Sequence, residues 1–349
     1  MITIILPIRN EAKYIKQTLE PILYQKDIEQ EIEILIVDGM STDDTRNIIT
    51  KYQKGHSNII LIDNPEKIVS TGFNRALNES RGDIIIRVDG HCEIAFDFIQ
   101  QCLECLEKLN ADCVGGATEH VALGLVGKSI KMAQSSFFGV GGVLFRKNVE
   151  KGQYVDTLAF GAYKREVFDQ LGGYDEELVR NQDDEFSFRM IQNDMKIWLD
   201  PSIKSTYTQR NCFMGLFKQY FQYGFYKVRV MQKRRGIASW RHLVPIIFIL
   251  SIILSLFFYL FIPIAWPFYL ITGSYAIANI LATFLETIKQ ITNQELRNSS
   301  HFSLFSFLLL PFVYFILHCS YGLGSICGFI YFWNKWHDVV LKDFHFIRE

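Results

Sequence analysis

The stretch DIIIRVDGH, residues 83–91, is an apolar run that ends in an acid and a histidine. Its three consecutive isoleucines are typical of a strand buried in a sheet. Asp89 and His91 come directly after it, and carboxylate oxygens, with imidazole tolerated, are the groups that bind a divalent cation at the carboxyl end of such a strand. The alternative is an ordinary turn in which Asp89 caps the next helix and His91 faces water. The residues at the ends of the other strands separate these two interpretations.

The first 200 residues alternate short β-branched runs with amphipathic segments. Strand, helix and strand at this spacing predict an α/β domain with a parallel, buried sheet and right-handed crossovers. Nucleotides bind beyond the carboxyl ends of the strands in such sheets. We therefore expect the functional site among the residues just after each strand. The predicted strands are residues 2–6, 32–37, 59–62 and 83–88, and the predicted helices are residues 11–24, 42–52 and 70–78.

Acidic residues come after three of the four predicted strands. Glu11, Asp38 and Asp89 would repel a bare diphosphate, but a metal ion between them and the phosphates turns repulsion into coordination. Ser41 or Thr42 is the predicted N-cap of the second helix, which would leave Asp38 free to bind a ligand. No GxGxxG comes after the first strand and no Walker sequence occurs, which disfavours a dinucleotide dehydrogenase or a P-loop ATPase.

The C-terminal part of the chain carries the signature of a membrane protein. Residues 201–242 contain nine Lys or Arg and no acid, residues 243–285 contain no charged residue, and residues 302–334 contain one histidine as their only titratable side chain apart from Tyr and Cys. Each uncharged run exceeds the roughly 20 apolar residues needed to cross a bilayer, and the first is long enough to cross twice. Pro263 and Pro267 mark its predicted turn. By the positive-inside rule, the preceding domain is expected on the cytoplasmic side.

Aromatic and basic residues interleave in residues 213–235. In a soluble protein this composition would favour nucleic-acid binding. Directly before a membrane span, it is better explained by a helix in the lipid headgroup layer, with aromatic rings inserted and cations on lipid phosphates. We therefore predict a membrane-surface helix and no nucleic-acid partner. Met1 leads straight into the first predicted strand, so no signal peptide is expected.

Five motifs occur in an order that resembles a known family. They are ILPIRNEAKYI, IVDGMSTDDT, RVDGH, FGAYKREVFDQLGGYDEEL and NQDDEFSFR. Over roughly residues 2–226 the chain resembles the family 2 glycosyltransferases of the GT-A fold, and within them it is most similar to bacterial succinoglycan-type exopolysaccharide transferases. The resemblance implies a nucleotide sugar as donor, usually a UDP-sugar, a divalent cation (Mg²⁺ or Mn²⁺), and transfer with inversion at the sugar.

The resemblance also implies which residues bind the donor. Pro7, Arg9 and Glu11 match the loop that contacts the nucleoside. Asp38 matches the carboxylate that accepts the ring N–H of the base.

Asp89 and His91 match the metal motif of the family, and Asp89 thereby also binds the donor diphosphate. Family members more often carry a second Asp where this chain has His91. Two roles therefore stay open for His91, a ligand of the ion and a contact of the diphosphate alone.

For the acceptor side, the resemblance assigns Asp183 as the base that deprotonates the acceptor hydroxyl. Gln182 stands where Glu is usual, which removes a like charge and is expected to ease ionisation of Asp183. Glu185 is expected to bind acceptor hydroxyls, and Gly161 and Ala162 to form the floor of the acceptor site. The alternative is that the acids of residues 183–185 only cap a helix.

The sequence thus predicts four regions: a GT-A nucleotide-sugar-binding domain with a Rossmann-like mixed sheet at residues 1–210, a basic aromatic interfacial helix at 211–242, a transmembrane region of about three spans at 243–334, and a C-terminal tail at 335–349. The expected function is transfer of a sugar to an undecaprenyl-type lipid-linked saccharide, for exopolysaccharide or capsule, at the cytoplasmic face of the bacterial inner membrane. A processive synthase is disfavoured because the Arg-Trp of its QxxRW motif is missing. A non-catalytic scaffold is disfavoured because Asp89 and Asp183 are present.

Overall fold

The structure is a computed structural model that describes residues 1–141, 150–158, 161–209, 211–236, 240–262, 264–292 and 305–336. These residues fall into two compact units. The first is formed within Met1–Glu119 and Leu144–Thr208, and the second within His120–Val143 and Gln209–Val340. The chain leaves the first unit close to the predicted boundary at residue 210. That residues 120–143 belong with the C-terminal helices was not predicted, because nothing in their composition marks them as part of that region.

The strands of the chain, in order, are β1 (Ile2–Ile8), β2 (Ile32–Asp38), β3 (Ile59–Asp63), β4 (Ile84–Arg87), β5 (Cys92–Ile94), β6 (Cys113–Gly115), β7 (Thr118–Val121), β8 (Gln153–Tyr154), β9 (Ala162–Lys164), β10 (Ile197–Leu199) and β11 (Ser205–Thr208). An eight-stranded sheet has the order β3-β2-β1-β4-β9-β6-β10-β8. β3, β2, β1 and β4 are parallel, whereas β9 is antiparallel to both of its neighbours. The first four strands were predicted to within two residues at each end, and the predicted mixed sheet is confirmed.

The helices are α1 (Ile15–Leu23), α2 (Thr45–Gln53), α3 (Val69–Glu79), α4 (Phe98–Lys108), α5 (Gly124–Ser135), α6 (Phe137–Val140), α7 (Arg165–Leu171), α8 (Gln182–Gln192), α9 (Phe213–Arg234), α10 (Val244–Phe261), α11 (Trp266–Thr292) and α12 (Ser306–Tyr331), with a 3₁₀ turn at Trp240–His242. In the first unit, helices cover both faces of the sheet. Ile4 packs with α1 and α4 on one face, and its neighbour Ile5 packs with α3, α7 and α8 on the other. This alternation follows from the two-residue period of a strand, and the result is a three-layer α/β unit.

The carboxyl ends of three parallel strands lie at one edge of the sheet. Ile8 pairs with Asp38, and Asp38 pairs with Asp63, so β1, β2 and β3 end level with one another. In β4, Arg87 pairs with Ile5, so the residues after Arg87 continue toward the same edge. The loops that the sequence marks as functional are therefore brought together by strand register.

The second unit is helical. The ring of Phe213, at the start of α9, lies 5.1 Å from that of Phe312 near the start of α12. At the other end of α9, the Gln232 amide donates to the Phe332 carbonyl at 2.7 Å, just after α12. The two helices therefore lie side by side and point in the same direction.

Among the described residues of the second unit, three helices are long and apolar enough to cross a membrane: Trp240–Phe261, Trp266–Thr292 and Phe307–Tyr331. This agrees with the predicted number of apolar segments. Pro267 lies in the first turn of α11, whereas Pro263 lies outside the described residues. The predicted interfacial segment at 211–242 corresponds to α9 and the 3₁₀ turn.

Candidate active site

The loops after β1 and β2 are held together by hydrogen bonds. The Asn10 backbone, at φ 57°, donates from its N–H to Ser41 Oγ at 2.8 Å, and Thr42 N–H donates to Asn10 Oδ1 at 2.8 Å. The Glu11 N–H donates to Thr45 Oγ1, also at 2.8 Å. Short polar side chains tolerate the left-handed conformation and bond to nearby backbone, which is why this sequence forms such a loop. The rim at the strand ends is thereby ordered by its own polar side chains.

Asp38 lies beneath this rim and is fully buried. Its carboxylate accepts hydrogen bonds from the Ser41 N–H at 3.0 and 3.2 Å and from Arg46 Nη1 at 2.7 Å, and the same Arg46 nitrogen donates to Asp63 at 2.7 Å. The expectation that Ser41 or Thr42 caps α2 and leaves Asp38 free is wrong, because α2 begins only at Thr45 and Ser41 bonds to Asp38 instead. Contact of Asp38 with a base stays a prediction and requires these bonds to rearrange.

The other residues predicted in the nucleoside-binding loop differ in exposure. Pro7 is buried within β1, where it pairs with Val37. Arg9 is exposed, and its Cβ lies 3.3 Å from the position that a Cβ on Gly39 would take. Of these two residues, Arg9 is therefore the one placed to contact a ligand.

Asp89, in the loop after β4, is held by an arginine that was not predicted to belong to the site. Arg87 Nε and Nη2 donate to Asp89 Oδ1 at 3.2 and 2.9 Å. Arg87 is only 4% exposed. Burial disfavours its charge, but Asp89, Tyr174 and Asp183 outweigh that effect and keep the pKa of Arg87 well above its usual value. The signal in the sequence that could have indicated Arg87 was a basic residue at the end of a buried run of isoleucines.

His91 has both ring nitrogens in hydrogen bonds. Nδ1 lies 2.9 Å from Glu11 Oε1, and Nε2 lies 2.7 Å from the Tyr207 hydroxyl. Ligation of a metal by His91 would require one of these bonds to break. Glu11, predicted to contact the nucleoside, is likewise bonded to His91. Gly90 allows the loop after β4 to lie close to the end of β1, since a Cβ on residue 90 would lie 2.7 Å from Ile8 Cγ2.

The fit of a divalent cation rests on Asp89. Among the described residues, no group of three or more His, Cys, Asp or Glu side chains is placed to hold a metal ion. No hydrogen bond within that part of the chain reaches Asp89 Oδ2, so one carboxylate oxygen is available. Mg²⁺ is commonly bound by one or two carboxylates together with substrate phosphates and water. Asp89 fits this donor set, and His91 in its present hydrogen bonds does not.

Asp183 lies in the first turn of α8 and is partly buried. Burial raises its pKa, Arg87 acts in the opposite direction, and Asp184 and Asp89 raise it further. Desolvation therefore outweighs the effect of the cation on Asp183. That Gln182 in place of Glu eases ionisation of Asp183 stays a prediction. The same interactions bring Asp183 into one electrostatic cluster with Arg87 and Asp89, two strand-end residues distant in sequence.

Glu185, which was expected to bind acceptor hydroxyls, forms an ion pair within the protein. Its buried carboxylate accepts from Arg189 Nε at 2.9 and 3.1 Å. Arg189 also donates to the carbonyls of Leu171 and Gly173, at the end of α7. Glu185 thus orients an arginine that closes α7, and binding of acceptor hydroxyls by Glu185 stays a prediction.

Gly161 and Ala162 were expected to form the floor of the acceptor site, which stays a prediction; the structure places Ala162 in β9 and Gly161 directly before it. Ala162 is fully buried in β9, paired with Ile86 on one side and Val114 on the other. A Cβ on Gly161 would collide with the Val114 carbonyl. Their small size is required by strand packing, because the neighbouring backbone occupies the space of a side chain.

The comparison with known proteins identifies the family of the chain. The family model described as glycosyl transferase family 2 matches residues 3–172. The succinoglycan biosynthesis protein ExoA of Rhizobium meliloti (strain 1021) is 30% identical over 245 residues, which cover 70% of this chain and 74% of that protein. The chain therefore belongs to glycosyltransferase family 2.

A second relative extends over almost the whole chain. The dolichyl N-acetyl-α-D-glucosaminyl phosphate 3-β-D-2,3-diacetamido-2,3-dideoxy-β-D-glucuronosyltransferase of Methanococcus voltae is 27% identical over 339 residues, or 94% of this chain and 97% of that protein. Among solved structures, the mannosyltransferase PcManGT of Pyrobaculum calidifontis, in complex with GDP-Man and Mn²⁺, is similar with a TM-score of 0.53 at 16% identity, covering 92% of this chain and 86% of that one. At that identity the likeness shows the fold alone.

Proposed function

We propose that this chain is a membrane-bound, metal-dependent inverting glycosyltransferase that moves a sugar from a UDP-sugar to a lipid-linked saccharide during exopolysaccharide or capsule synthesis. The observation that carries the proposal is the cluster of Arg87, Asp89 and Asp183 at the strand-end edge of a family 2 fold. The names of two relatives add support, because one acts in succinoglycan biosynthesis and the other on a dolichyl-linked sugar phosphate.

On the donor side, Asp89 would hold Mg²⁺ or Mn²⁺ through its available oxygen. When bound, the ion supplies positive charge that stabilises the leaving diphosphate. Arg87 holds Asp89 in place through Oδ1, so the free oxygen points in a defined direction before the donor arrives. Arg9, exposed on the neighbouring loop, is the donor contact that needs no rearrangement.

On the acceptor side, Asp183 takes the proton from the attacking hydroxyl. The hydroxyl oxygen bonds to the anomeric carbon while the bond from that carbon to the diphosphate oxygen breaks, and attack from the opposite face inverts the configuration. A base works best when its pKa lies nearer the working pH, so the raised pKa of Asp183 makes it a stronger base than an exposed Asp. Arg87 limits the rise and keeps the carboxylate ionised.

The membrane supplies the acceptor in this proposal. Nine cations and no acid in residues 201–242 suit an anionic leaflet, and the apolar helices after them suit lipid. We place the enzyme in the bacterial inner membrane with its first unit in the cytoplasm, where nucleotide sugars are found. An undecaprenyl-type lipid would present the saccharide there.

A transfer assay tests the proposal. The full-length chain in lipid nanodiscs is incubated with Mn²⁺, a panel of nucleotide sugars and extracted undecaprenyl-linked glycans. Release of nucleoside diphosphate is measured together with the mass of the glycolipid and the anomeric configuration of its new linkage. We expect one donor to give a single added sugar with inverted configuration. Retained configuration, or addition of many sugars, would contradict the proposal.

A further inference from the structure

Helices α9 and α12 are in backbone contact along their shared length. A Cβ on Gly324 of α12 would collide with the Phe221 carbonyl of α9, and one on Gly328 would lie 2.5 Å from the Phe225 carbonyl. On α9, Gly224 accepts a hydrogen bond from Ser325 Oγ at 3.2 Å through its carbonyl. Small residues on both helices let the backbones approach, so the pair behaves as one element.

The sequence of α9 does not suit the interior of a bilayer. Its 22 residues include five cations, at positions 218, 227, 229, 233 and 234. Arg229 is buried, and its Nη1 donates to the Lys335 carbonyl at 3.0 Å, beyond the end of α12. Cations at the depth of the hydrocarbon core are costly, and a helix that carries one in every turn or two stays at the headgroup level. Because α12 lies along α9, the two helices must share that level.

The exposure of α12 also differs from that of the other two apolar helices. Half of the most apolar 18-residue stretch of α12 is buried inside the protein. The buried share of the corresponding stretch is 17% in the helix that ends at Phe261 and 6% in α11. The two latter helices form a hairpin that exposes most of its apolar side chains. α12 exposes one face, because its other face packs against α9 and α5.

The hydrogen bonds and ring contacts between α12 and this hairpin lie away from the turn of the hairpin; one of them joins Asn279 Nδ2 to the Pro311 carbonyl at 3.0 Å. A Cβ on Gly322 would collide with the Pro245 carbonyl in the first turn of α10, and Tyr275 shares a hydrogen bond of 3.0 Å with His318. Further out, Tyr259 of α10 stacks on Phe268 of α11. Within the described ranges, no hydrogen bond or ring contact joins α12 to residues 255–270. The hairpin therefore extends away from α12.

We propose that α12 does not cross the bilayer, and that α9 and α12 form a two-helix layer whose outer face binds phospholipid headgroups. The charge of residues 201–242 selects anionic headgroups as the partner. The α10 and α11 hairpin then is the part that enters the hydrocarbon core, so two of the three apolar helices are inserted. The C-terminus consequently lies on the side of the membrane at which α10 begins, whereas three crossings would put it on the other side.

Depth measurements test this arrangement. In each variant of the full-length protein, one exposed residue is replaced by a cysteine that carries a fluorophore. The variants are placed in vesicles of phosphatidylcholine and phosphatidylglycerol. Quenching by lipids that are spin-labelled near the headgroup or deep in the acyl chain gives the depth of each label. Cys212, Cys319 and Cys327 are first changed to Ser, since the other described cysteines are buried. The positions on α12 are Leu308, Phe315, Leu323 and Ile330, and the control positions on α10 are Ile247, Leu254 and Phe261.

We expect the four α12 labels to report one shallow depth, while the α10 labels become deeper along the helix. A depth in α12 that passes through the bilayer centre near Phe315 or Leu323 would overturn the proposal. A second measurement uses the otherwise unchanged chain with cleavable tags at the N- and C-terminus, in membrane vesicles of known orientation. Cleavage of both tags from the same side supports the proposal, and cleavage from opposite sides overturns it.

Discussion

Replacing Asp183 by Asn is expected to remove most sugar transfer and to leave donor binding nearly unchanged. Asn keeps the size of the side chain in the first turn of α8 but cannot take up a proton. Loss of a general base costs about 10²–10⁴-fold in rate. Because burial raises the pKa of Asp183 and makes it a stronger base, we expect the upper part of that range, about 10³–10⁴-fold, or roughly 4–5.5 kcal/mol at 1.36 kcal/mol per factor of ten.

The same substitution should not destabilise the protein. A carboxyl whose pKa is raised on folding binds its proton more tightly in the folded state, so its ionisation at neutral pH costs folding free energy. This cost is absent below the unfolded pKa and is fully present once the pH exceeds the folded pKa. Asn carries no charge, so Asp183→Asn is expected to unfold at the same or a higher temperature at pH 7.

The assay measures kcat, KM, donor affinity by calorimetry and the thermal midpoint on the full-length protein. Asp184→Asn is the matched control, because it removes a carboxylate from the same helical turn. We expect that control to retain most of the turnover. A lower thermal midpoint in Asp183→Asn, or donor affinity lost in step with kcat, would refute the assignment of Asp183 as the base and give it a structural role.

Four further substitutions separate the roles of the other site residues. Arg87→Gln removes the cation that lowers the pKa of Asp183, so the acid limb of the pH–rate profile should move to higher pH, with partial return in Arg87→Lys. Asp89→Ala should abolish Mn²⁺ binding in the presence of UDP and reduce transfer at least about 100-fold, because charge stabilisation by the metal is worth several kcal/mol. As a control, transfer by the wild-type protein should stop in excess chelator. His91→Gln should change that Mn²⁺ affinity by less than about tenfold, since both ring nitrogens bond to protein, and a larger loss in titration calorimetry would restore the ligand role. Glu185→Gln should lower the free energy of unfolding in urea by about 1.5–3 kcal/mol, the worth of hydrogen bonds to a charged partner, with kcat unchanged.

The strands around the site were predictable because their signal is local. Runs such as ITIILPI and IEILIVD are apolar on both faces and end in polar residues, so their type and their ends can be recognised from the sequence. Parallel register then placed Asp38 and Asp89 at a common edge. The prediction failed where the hydrogen-bond partners of a side chain depend on the folded structure. Asp38 bonds to Ser41 and Arg46, and these bonds depend on where α2 begins.

The acceptor-side residues are harder to interpret from the sequence for a related reason. Small residues such as Gly161 are required equally by a close ligand and by a close strand, and the sequence does not distinguish the two. The carboxylate of Glu185 is equally ambiguous until Arg189 is placed one helical turn away and bonded to the end of α7. Arg87 was not predicted to belong to the site, because a buried cation is stabilised only by the acids around it and those acids are distant in the sequence or ambiguous there.

The sequence by itself determined the class of this protein: an α/β domain, its strand-end acids, and three apolar segments behind a basic stretch. These are properties of periodicity and local composition, which require no knowledge of distant contacts. Only the tertiary structure decided that Arg87 joins Asp89 to Asp183, that His91 is held by Glu11 and Tyr207, and that α12 packs along a basic helix. Each depends on residues more than about 75 positions apart or on the register between elements, and the energy of such contacts exists only once the chain is folded.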